Sequence, residues 1–222
     1  MIIAIDGPAG SGKSSTAKAV AAKLGITYLD TGAMYRVITL KCLRYGIKAD
    51  DHEGLAKIVA DTKISFSGVP PATRVLLDGE DVSDAIRSDE VTKNVSDYCA
   101  PKVVRDALVE QQRLIGKDKS VVCEGRDIAT VVFPDADIKI YMTASVEERA
   151  RRRQKDFEKM GIFKSIDELV KEISVRDHKD STRENSPLKM AEGAEQMDTT
   201  GMSLEEQVEY IANKAAALVR SR

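Results

Sequence analysis

The chain has 222 residues, of which 42% are hydrophobic and 32% charged, and its net charge is −2. This length accommodates one α/β domain with insertions, and the composition is typical of a water-soluble globular protein. The charge balance excludes a global attraction to nucleic acid or to an anionic membrane, so we expect neither as a partner.

The cysteines and the first residues of the chain indicate the cellular compartment. Cys42, Cys99 and Cys123 are odd in number and widely spaced, so we expect buried thiols in a reducing cytosol rather than disulfides or a zinc site. The opening MIIAID lacks the basic start and apolar core of a signal peptide, and no apolar run approaches the ~20 residues that span a bilayer. We therefore expect a cytoplasmic protein. Because nothing in the sequence demands a dimer, we expect a monomer.

The first part of the chain alternates strands and helices. Met1–Asp6 is a short apolar run that predicts a buried parallel strand. After a glycine-rich loop, apolar residues at helical spacing predict a helix over Lys13–Leu24, which a glycine ends. Ile26–Leu29 predicts a second strand, and Thr31 is the predicted N-cap of a helix that runs to Tyr45.

The segment from Ile64 to Val82 interrupts this alternation. Ile64–Phe66 and Arg74–Leu77, followed by the turn Asp78-Gly79, predict short antiparallel strands, and Pro70-Pro71 breaks the segment further. We expect an insertion rather than another strand–helix unit. Pro101 is the predicted first residue of a helix that ends at Ile115.

The second half of the chain returns to strands followed by helices. Strands are predicted at Ser120–Cys123, Ile138–Met142 and Gln196–Thr199. Three helices are predicted to start at capping boxes, in which a serine is followed three residues later by a glutamate: Ser145 with Glu148, Ser165 with Glu168, and Ser203 with Glu206. This order predicts an α/β fold in which helices cover both faces of a parallel sheet.

The loop Gly7–Ser14 reads G-P-A-G-S-G-K-S and fits the phosphate-binding pattern G-x-x-x-x-G-K-[ST] between a strand and a helix. Glycines let the backbone wrap around phosphate oxygens, and the helix N-terminus adds partial positive charge. We expect Lys13 to reach the β- and γ-phosphates and the Ser14 hydroxyl to coordinate Mg²⁺. The loop alone predicts nucleoside triphosphate binding and leaves a kinase, a GTPase and a motor open.

Arginines favour a kinase among these classes. The N-K-x-D element with which GTPases read guanine is missing from the sequence. The run Val121–Asp127 places a carboxylate and an arginine at the end of a predicted strand, on the rim where α/β sheets bind ligands. Seven arginines fall near this rim: Arg36, Arg126, Arg149, Arg152, Arg153, Arg176 and Arg183. Their planar forks suit phosphate oxygens, and a phosphate acceptor with a second pKa of about 6 needs no general base.

The stretch Glu147–Lys159 is rich in arginine and lysine. One interpretation is a mobile lid over ATP, with Arg149 and Arg153 as contacts to the nucleotide. A solvated helix face is the second interpretation. A nucleic-acid site is the third, which the lack of an accompanying aromatic stacking platform disfavours.

Five blocks of the sequence resemble the motif series of bacterial cytidylate kinases, and the similarity extends over almost the whole chain. The blocks are Gly7–Ser15, Leu29–Arg36, Glu124–Asp127, Thr130–Ala136 and Arg176-Asp177. The resemblance implies a P-loop NTPase core of the adenylate-kinase type, with a small antiparallel insertion domain for the monophosphate and a helical lid. It implies a core at about 1–62, 96–148 and 190–222, an insertion at about 63–95 and a lid at about 149–165.

The resemblance also implies the activity, which is transfer of the γ-phosphoryl group of ATP to CMP or dCMP with Mg²⁺ as cofactor. It implies that ATP binds to Gly7, Pro8, Ala9, Gly10, Ser11, Gly12, Lys13, Ser14 and Ser15. The implied contacts of the CMP phosphate are Thr31, Arg36 and Arg126, and those of cytosine are Ser96, Arg105 and Asp127. Asp180 is implied at the ribose, and Arg176 and Arg183 at the transferring phosphates or the CMP phosphate. The implied catalytic residues are Lys13, Arg126, Arg176 and Arg183.

The chemistry of the base supports these implied contacts. Cytosine presents an amino donor and two acceptors, which a carboxylate and an arginine complement. Uracil places an acceptor opposite the carboxylate, and an unpaired buried polar group costs about 1–3 kcal/mol. Alternatives stay open for single residues: Asp127 as a residue that only orients Arg126, Arg105 as a surface residue, and Ser96 as part of a plain helix or turn.

Alternatives stay open for the whole chain as well. Within the same class, the rival function is a kinase for UMP, AMP or a non-nucleotide acceptor. From a different class, the rival is a nucleotide-switched binding module, which predicts no release of ADP that depends on an acceptor.

Overall fold

The computed structural model describes residues 1–69, 72–159 and 161–220, so the predicted break at Pro70-Pro71 lies outside the described residues. The strands are Ile2–Asp6 (β1), Thr27–Asp30 (β2), Ile64–Ser67 (β3), Arg74–Leu77 (β4), Glu80–Asp81 (β5), Val121–Gly125 (β6), Ile138–Thr143 (β7) and Glu195–Asp198 (β8). The α-helices are Lys13–Leu24 (α1), Thr31–Tyr45 (α2), His52–Ala60 (α3), Asp89–Cys99 (α4), Lys102–Gly116 (α5), Val146–Lys159 (α6), Ile166–Thr182 (α7) and Leu204–Arg220 (α8).

Five strands form one parallel sheet in the order β2-β6-β1-β7-β8. Alternate residues of its central strands face opposite sides, because side chains alternate along a strand. Ala4 and Cys123 pack with α2, α3 and α5, whereas Ile3, Ile5 and Val122 pack with α1 and α8. The predicted parallel sheet with helices on both faces is confirmed.

A second, antiparallel sheet of β3, β4 and β5 lies over α2. Val75 and Leu77 of β4 are buried there against Val37 and Leu40 of the helix. The predicted antiparallel strands are confirmed. The neighbouring helices α3 and α4 were not predicted, although the buried residues of α4 (Val91, Val95, Tyr98 and Cys99) recur at helical spacing.

Two predicted helix starts differ from the structure. Asp30, not Thr31, caps α2 by accepting from the Ala33 amide, and the Thr31 hydroxyl instead donates to the Glu124 carbonyl oxygen at 2.7 Å. This tertiary hydrogen bond replaces the local cap because β2 and β6 are neighbours in the sheet. Pro101 is the N-cap of α5 rather than its first helical residue.

Of the three predicted capping boxes, those at Ser165 and Ser203 are reciprocal. The box at Ser145 is half formed. The Glu148 amide donates to the Ser145 hydroxyl, but the Ser145 amide donates to Thr200. Glu148 pairs with Arg152 instead, because the charged guanidinium competes for its carboxylate.

Helices α6 and α7 form a hairpin with a small core of its own. Ala150 and Phe157 of α6 pack against Leu169 and Ile173 of α7. The hairpin contains most of the predicted lid, and its movement over ATP stays a prediction.

Cys42, Cys99 and Cys123 are buried free thiols, as predicted. Burial raises the pKa of Cys42 to about 11 and that of Cys99 to about 12, and it raises the pKa of Cys123 as well. None of the helices in the described ranges combines the length and apolar character that crossing a bilayer requires.

Candidate active site

A cleft of about 900 Å³ opens at the carboxyl edge of the parallel sheet, between α2, α4 and the α6–α7 hairpin. Among the described residues, fifteen lysines and arginines but only seven aspartates and glutamates line it. The chain as a whole carries a net charge of −2, so positive charge is concentrated here. Such a cleft attracts a ligand with several negative charges.

The loop Gly7–Ser14 connects β1 to α1 at the floor of this cleft. Gly7, Gly10 and Gly12 have positive φ angles of 151°, 77° and 95°. A side chain on Gly7 would collide with the Met142 carbonyl oxygen, so close packing against β7 demands glycine there. These backbone angles are what a loop that encircles phosphate oxygens requires.

Lys13 and Ser14 begin α1 and are the polar side chains at the end of the loop. The Lys13 ammonium donates to the Pro8 carbonyl oxygen at 2.7 Å. Burial, assisted by the nearby Arg126 guanidinium, lowers the pKa of Lys13 to about 7. A phosphate placed in the loop would restore its charge, because a nearby negative charge favours the protonated form.

The Ser14 hydroxyl donates to Glu124 Oε1 at 2.5 Å, so α1 and the end of β6 meet at this pair. Burial and then the carboxylate of Asp30 raise the pKa of Glu124. A hydroxyl beside a carboxylate is a donor set that fits Mg²⁺. Within the described ranges, no three or more His, Cys, Asp or Glu side chains gather into a metal site. Phosphate oxygens and water would complete the coordination of a magnesium ion, as is usual for this metal.

Asp180 organises a first cluster of arginines. It is 4% exposed and accepts from Arg126 Nε at 2.8 Å, while Arg176 Nε lies 3.9 Å away. Ser96 donates to its other oxygen at 3.4 Å. Burial alone would raise the pKa of Asp180, but Arg126 and Arg176 outweigh burial and hold it below its usual range. Arg176 and Asp180 share one face of α7 because they are four residues apart.

Asp127 organises a second cluster. It is 3% exposed and accepts from Arg105 Nη2 at 2.5 Å, and Arg183 Nη2 lies 3.8 Å from its other oxygen. Arg105 is itself 2% exposed, which excludes an ordinary surface role. The partner of Asp127 is therefore Arg105, whereas Arg126 pairs with Asp180. The structure places Arg183 with this second cluster, and its predicted contact with phosphates stays a prediction.

Thr31 and Arg36 of α2 line the cleft. Arg36 Nη1 donates to the Ile86 carbonyl oxygen at 3.0 Å and to the Thr92 hydroxyl at 2.8 Å. Burial, followed by the guanidiniums of Arg176 and Arg153, lowers the pKa of Arg36 to about 9. The side chain therefore keeps its charge at neutral pH and is available to an anion.

The two predicted lid arginines occupy different surroundings. Arg149 Nη1 donates to the Ala9 carbonyl oxygen at 3.1 Å and to Asp177 at 2.6 Å, so Arg149 braces the phosphate loop. Arg153 lines the cleft, with its guanidinium 4.5 Å from the centre of the Phe157 ring. Their predicted contacts with ATP stay predictions.

The structure brings most predicted site residues to this one cleft. Those that line it are Ala9, Gly10, Gly12, Lys13, Ser14, Ser15, Thr31, Arg36, Ser96, Arg105, Arg126, Asp127, Arg153, Arg176, Asp180 and Arg183. Gly7, Pro8 and Ser11 belong to the loop, and Arg149 contacts its backbone.

Three further polar residues at the site received no role from sequence reasoning. Glu124 belongs to the block Glu124–Asp127 and is the last side chain before the glycine that ends β6, a position that signals a site residue. Asp6 ends β1 in the same way, and its carboxylate accepts from the amides of Ile128 and Ala129, each at 2.8 Å. Tyr35 lies in the block Leu29–Arg36, but its helical spacing from apolar neighbours is that of a core residue, so it received no role.

The comparisons with known proteins all identify the same family. The family model for cytidylate kinase matches residues 3–217. A cytidylate kinase of Streptococcus agalactiae serotype V is 49% identical over 98% of this chain and 96% of its own. A cytidylate kinase of Lysinibacillus sphaericus is 49% identical over 96% of this chain and 95% of its own. A bifunctional pantoate ligase/cytidylate kinase of a Synechococcus strain is 52% identical over 91% of this chain and 38% of its own length.

Proposed function

This chain belongs to the cytidylate kinase family, and from that premise we propose that it transfers the γ-phosphoryl group of ATP to CMP or dCMP. The products are ADP and CDP or dCDP. The observation that carries the proposal is the buried pair of Asp127 and Arg105, which lies in the same cleft as Lys13 of the phosphate loop. One end of the cleft thus suits a triphosphate and the other a pyrimidine.

The base end complements cytosine. The Asp127 carboxylate accepts from the amino group of cytosine, and Arg105 donates to the ring acceptors. Both side chains are buried, so a base without the matching donor leaves a polar group unpaired at a cost of about 1–3 kcal/mol. UMP is therefore expected to be a poorer acceptor by roughly ten- to hundredfold.

The phosphate end holds two anions close together. Arg36 and Arg126, with the Thr31 hydroxyl nearby, bind the phosphate of CMP, and Lys13 binds the β- and γ-phosphates of ATP. Arg176 faces the same space from α7, where it compensates charge during transfer. Asp180 holds Arg126 and Arg176 in place and contacts the ribose. The phosphate of CMP is already an anion at pH 7, so it attacks without a general base.

Mg²⁺ is the cofactor in this proposal, held near the Ser14 hydroxyl and Glu124 together with ATP. When bound, it neutralises phosphate charge and orients the oxygens that it coordinates. The α6–α7 hairpin acts as a lid that brings Arg153 towards ATP and excludes water, which would otherwise hydrolyse the triphosphate. Arg149 reaches ATP from its position beside the loop.

We place this reaction in pyrimidine nucleotide metabolism, in the cytoplasm, with a monomeric enzyme and without nucleic-acid or membrane partners. The three buried free thiols suit a reducing compartment. For the parts of the chain we propose the roles that the resemblance implies. The insertion at about 63–95 receives the monophosphate, and the lid at about 149–165 covers ATP.

A coupled assay of ADP release tests the proposal, with ATP, Mg²⁺ and CMP, dCMP, UMP or AMP as acceptor. We expect rapid release with CMP and dCMP and release slower by roughly ten- to hundredfold with UMP. Preference for UMP or AMP would support a different monophosphate kinase. Release that is independent of every acceptor would support a nucleotide-switched binding module and would overturn the proposal.

A further inference from the structure

Tyr35 of α2 is the chain neighbour of Arg36, which is assigned to the CMP phosphate, and its ring contacts Arg105, which is assigned to the base, yet the mechanism gives it no task. Its side chain lines the cleft and is 8% exposed. The Arg105 guanidinium lies over its ring, 5.0 Å from the ring centre. This geometry is that of a cation–π contact, which is strongest where water is excluded.

Arg105 has few other contacts that fix its orientation. Its Nη1 donates to the Cys99 carbonyl oxygen at 3.2 Å and its Nη2 to Asp127, while its buried Nε has no partner among the described residues. A planar fork directs its donors within its own plane, so these two hydrogen bonds chiefly fix the guanidinium within that plane. The Tyr35 ring, over which the guanidinium lies, adds a contact that opposes displacement of the guanidinium away from the ring.

The hydroxyl of Tyr35 does not take part in the contact with Arg105. It is buried and makes no hydrogen bond to any described part of the chain. Burial raises the pKa of Tyr35, so the hydroxyl stays neutral. The observed contact to the base-reading cluster is thus made by the ring.

We propose that Tyr35 is a positioning residue for base selection, whose ring holds the Arg105 guanidinium in line with Asp127. This inference rests on the proposed function. With Arg105 fixed, Asp127 is left to accept from the amino group of cytosine. An Arg105 that is free to tilt donates to the O4 acceptor of uracil, which removes the penalty against UMP.

The test compares Tyr35→Phe, which keeps the ring, with Tyr35→Met, which keeps an adaptable apolar side chain but removes the ring. Phenylalanine breaks no hydrogen bond here, so we expect its kinetic constants to stay within about twofold of the wild type. For Tyr35→Met we expect KM for CMP to rise about tenfold and the CMP-to-UMP ratio of kcat/KM to fall about tenfold. KM for ATP is expected to stay unchanged.

Tyr98→Met is the matched control, since Tyr98 belongs to the same hydrophobic cluster but its hydroxyl donates to the Ile47 carbonyl oxygen, away from Arg105. It is expected to lower the melting temperature and leave the CMP-to-UMP ratio unchanged. A second measurement adds Tyr35→Leu, which also removes the ring, and places Tyr35→Leu and Tyr35→Met in an Arg105→Lys background. If Tyr35 acts through Arg105, neither changes the ratio further there.

Two results would overturn the inference. One is a folded Tyr35→Met or Tyr35→Leu enzyme with the wild-type CMP-to-UMP ratio. The other is Tyr35→Phe with the same loss as Tyr35→Met, because the hydroxyl would then carry the effect. Failure of the wild type to phosphorylate CMP would instead overturn the proposed function, so the two failures are distinguishable.

Discussion

At the scale of single residues, Lys13 is a cation whose charge depends on its ligand. In the free protein its ammonium is buried and its pKa is lowered to about 7 by burial and by Arg126. Lysine has an ordinary pKa of about 10.4, so in the free protein Lys13 loses its proton at a much lower pH than an exposed lysine does. Bound phosphates raise the pKa again because they favour the charged form.

We therefore predict that ATP binding takes up a proton at alkaline pH. At pH 8 the uptake assigned to Lys13 approaches about one proton, and at pH 6 it disappears because the free side chain is already charged. Isothermal titration calorimetry without Mg²⁺, in buffers of different ionisation enthalpy, measures the uptake. Lys13→Met is expected to abolish it. The same uptake in wild type and Lys13→Met would contradict the assignment.

At the scale of elements, α7 delivers Arg176 and Asp180 to the cleft, and its start is fixed by a complete capping box. The Ser165 hydroxyl accepts from the Glu168 amide, and the Glu168 carboxylate accepts from the Ser165 amide. Both hydrogen bonds satisfy amides that otherwise have no partner at a helix start.

Ser165→Ala is predicted to lower the free energy of unfolding by about 1 kcal/mol, the usual cost of a lost N-cap. Ser174→Ala, an exposed substitution within the same helix, is the matched control and is expected to change it by less than about 0.5 kcal/mol. Urea denaturation measures both. Equal effects of the two substitutions would show that the capping box does not stabilise α7.

At the scale of the whole molecule, a cationic cleft is set in a chain of net charge −2. We predict that KM for CMP rises several-fold when KCl increases from about 0.05 M to about 0.5 M, because salt screens the attraction of the phosphate. Cytidine, which lacks the phosphate, serves as the control. Its inhibition constant is expected to stay constant, and a parallel rise for cytidine would assign the salt effect to something other than charge.

The features that are best predicted from the sequence are those that depend on residues adjacent in the chain. Gly7–Ser14 and the apolar run of β1 are contiguous, so loop, strand and helix were all predictable. Arg126 and Asp180 are 54 positions apart, and Arg105 and Asp127 are 22 apart, so their pairing depends on how α5, α7 and β6 pack.

Some side chains have both a local and a tertiary partner within reach. Thr31 has the sequence of a helix cap, but the carbonyl oxygen of Glu124 takes its hydroxyl once β2 and β6 are paired. Glu148 has the spacing of a capping box, and Arg152 takes its carboxylate. In each case the structure is decided by a partner that spacing alone does not reveal.

The burial of all three thiols has a practical consequence. Alkylating reagents attack the thiolate, and burial raises the pKa of Cys42, Cys99 and Cys123, which keeps these thiols protonated. Phe163 lies between α6 and α7 with 85% of its surface exposed. A fluorophore attached through Phe163→Cys would therefore report on the hairpin without removal of any native cysteine, so that its motion becomes measurable in an otherwise unaltered enzyme.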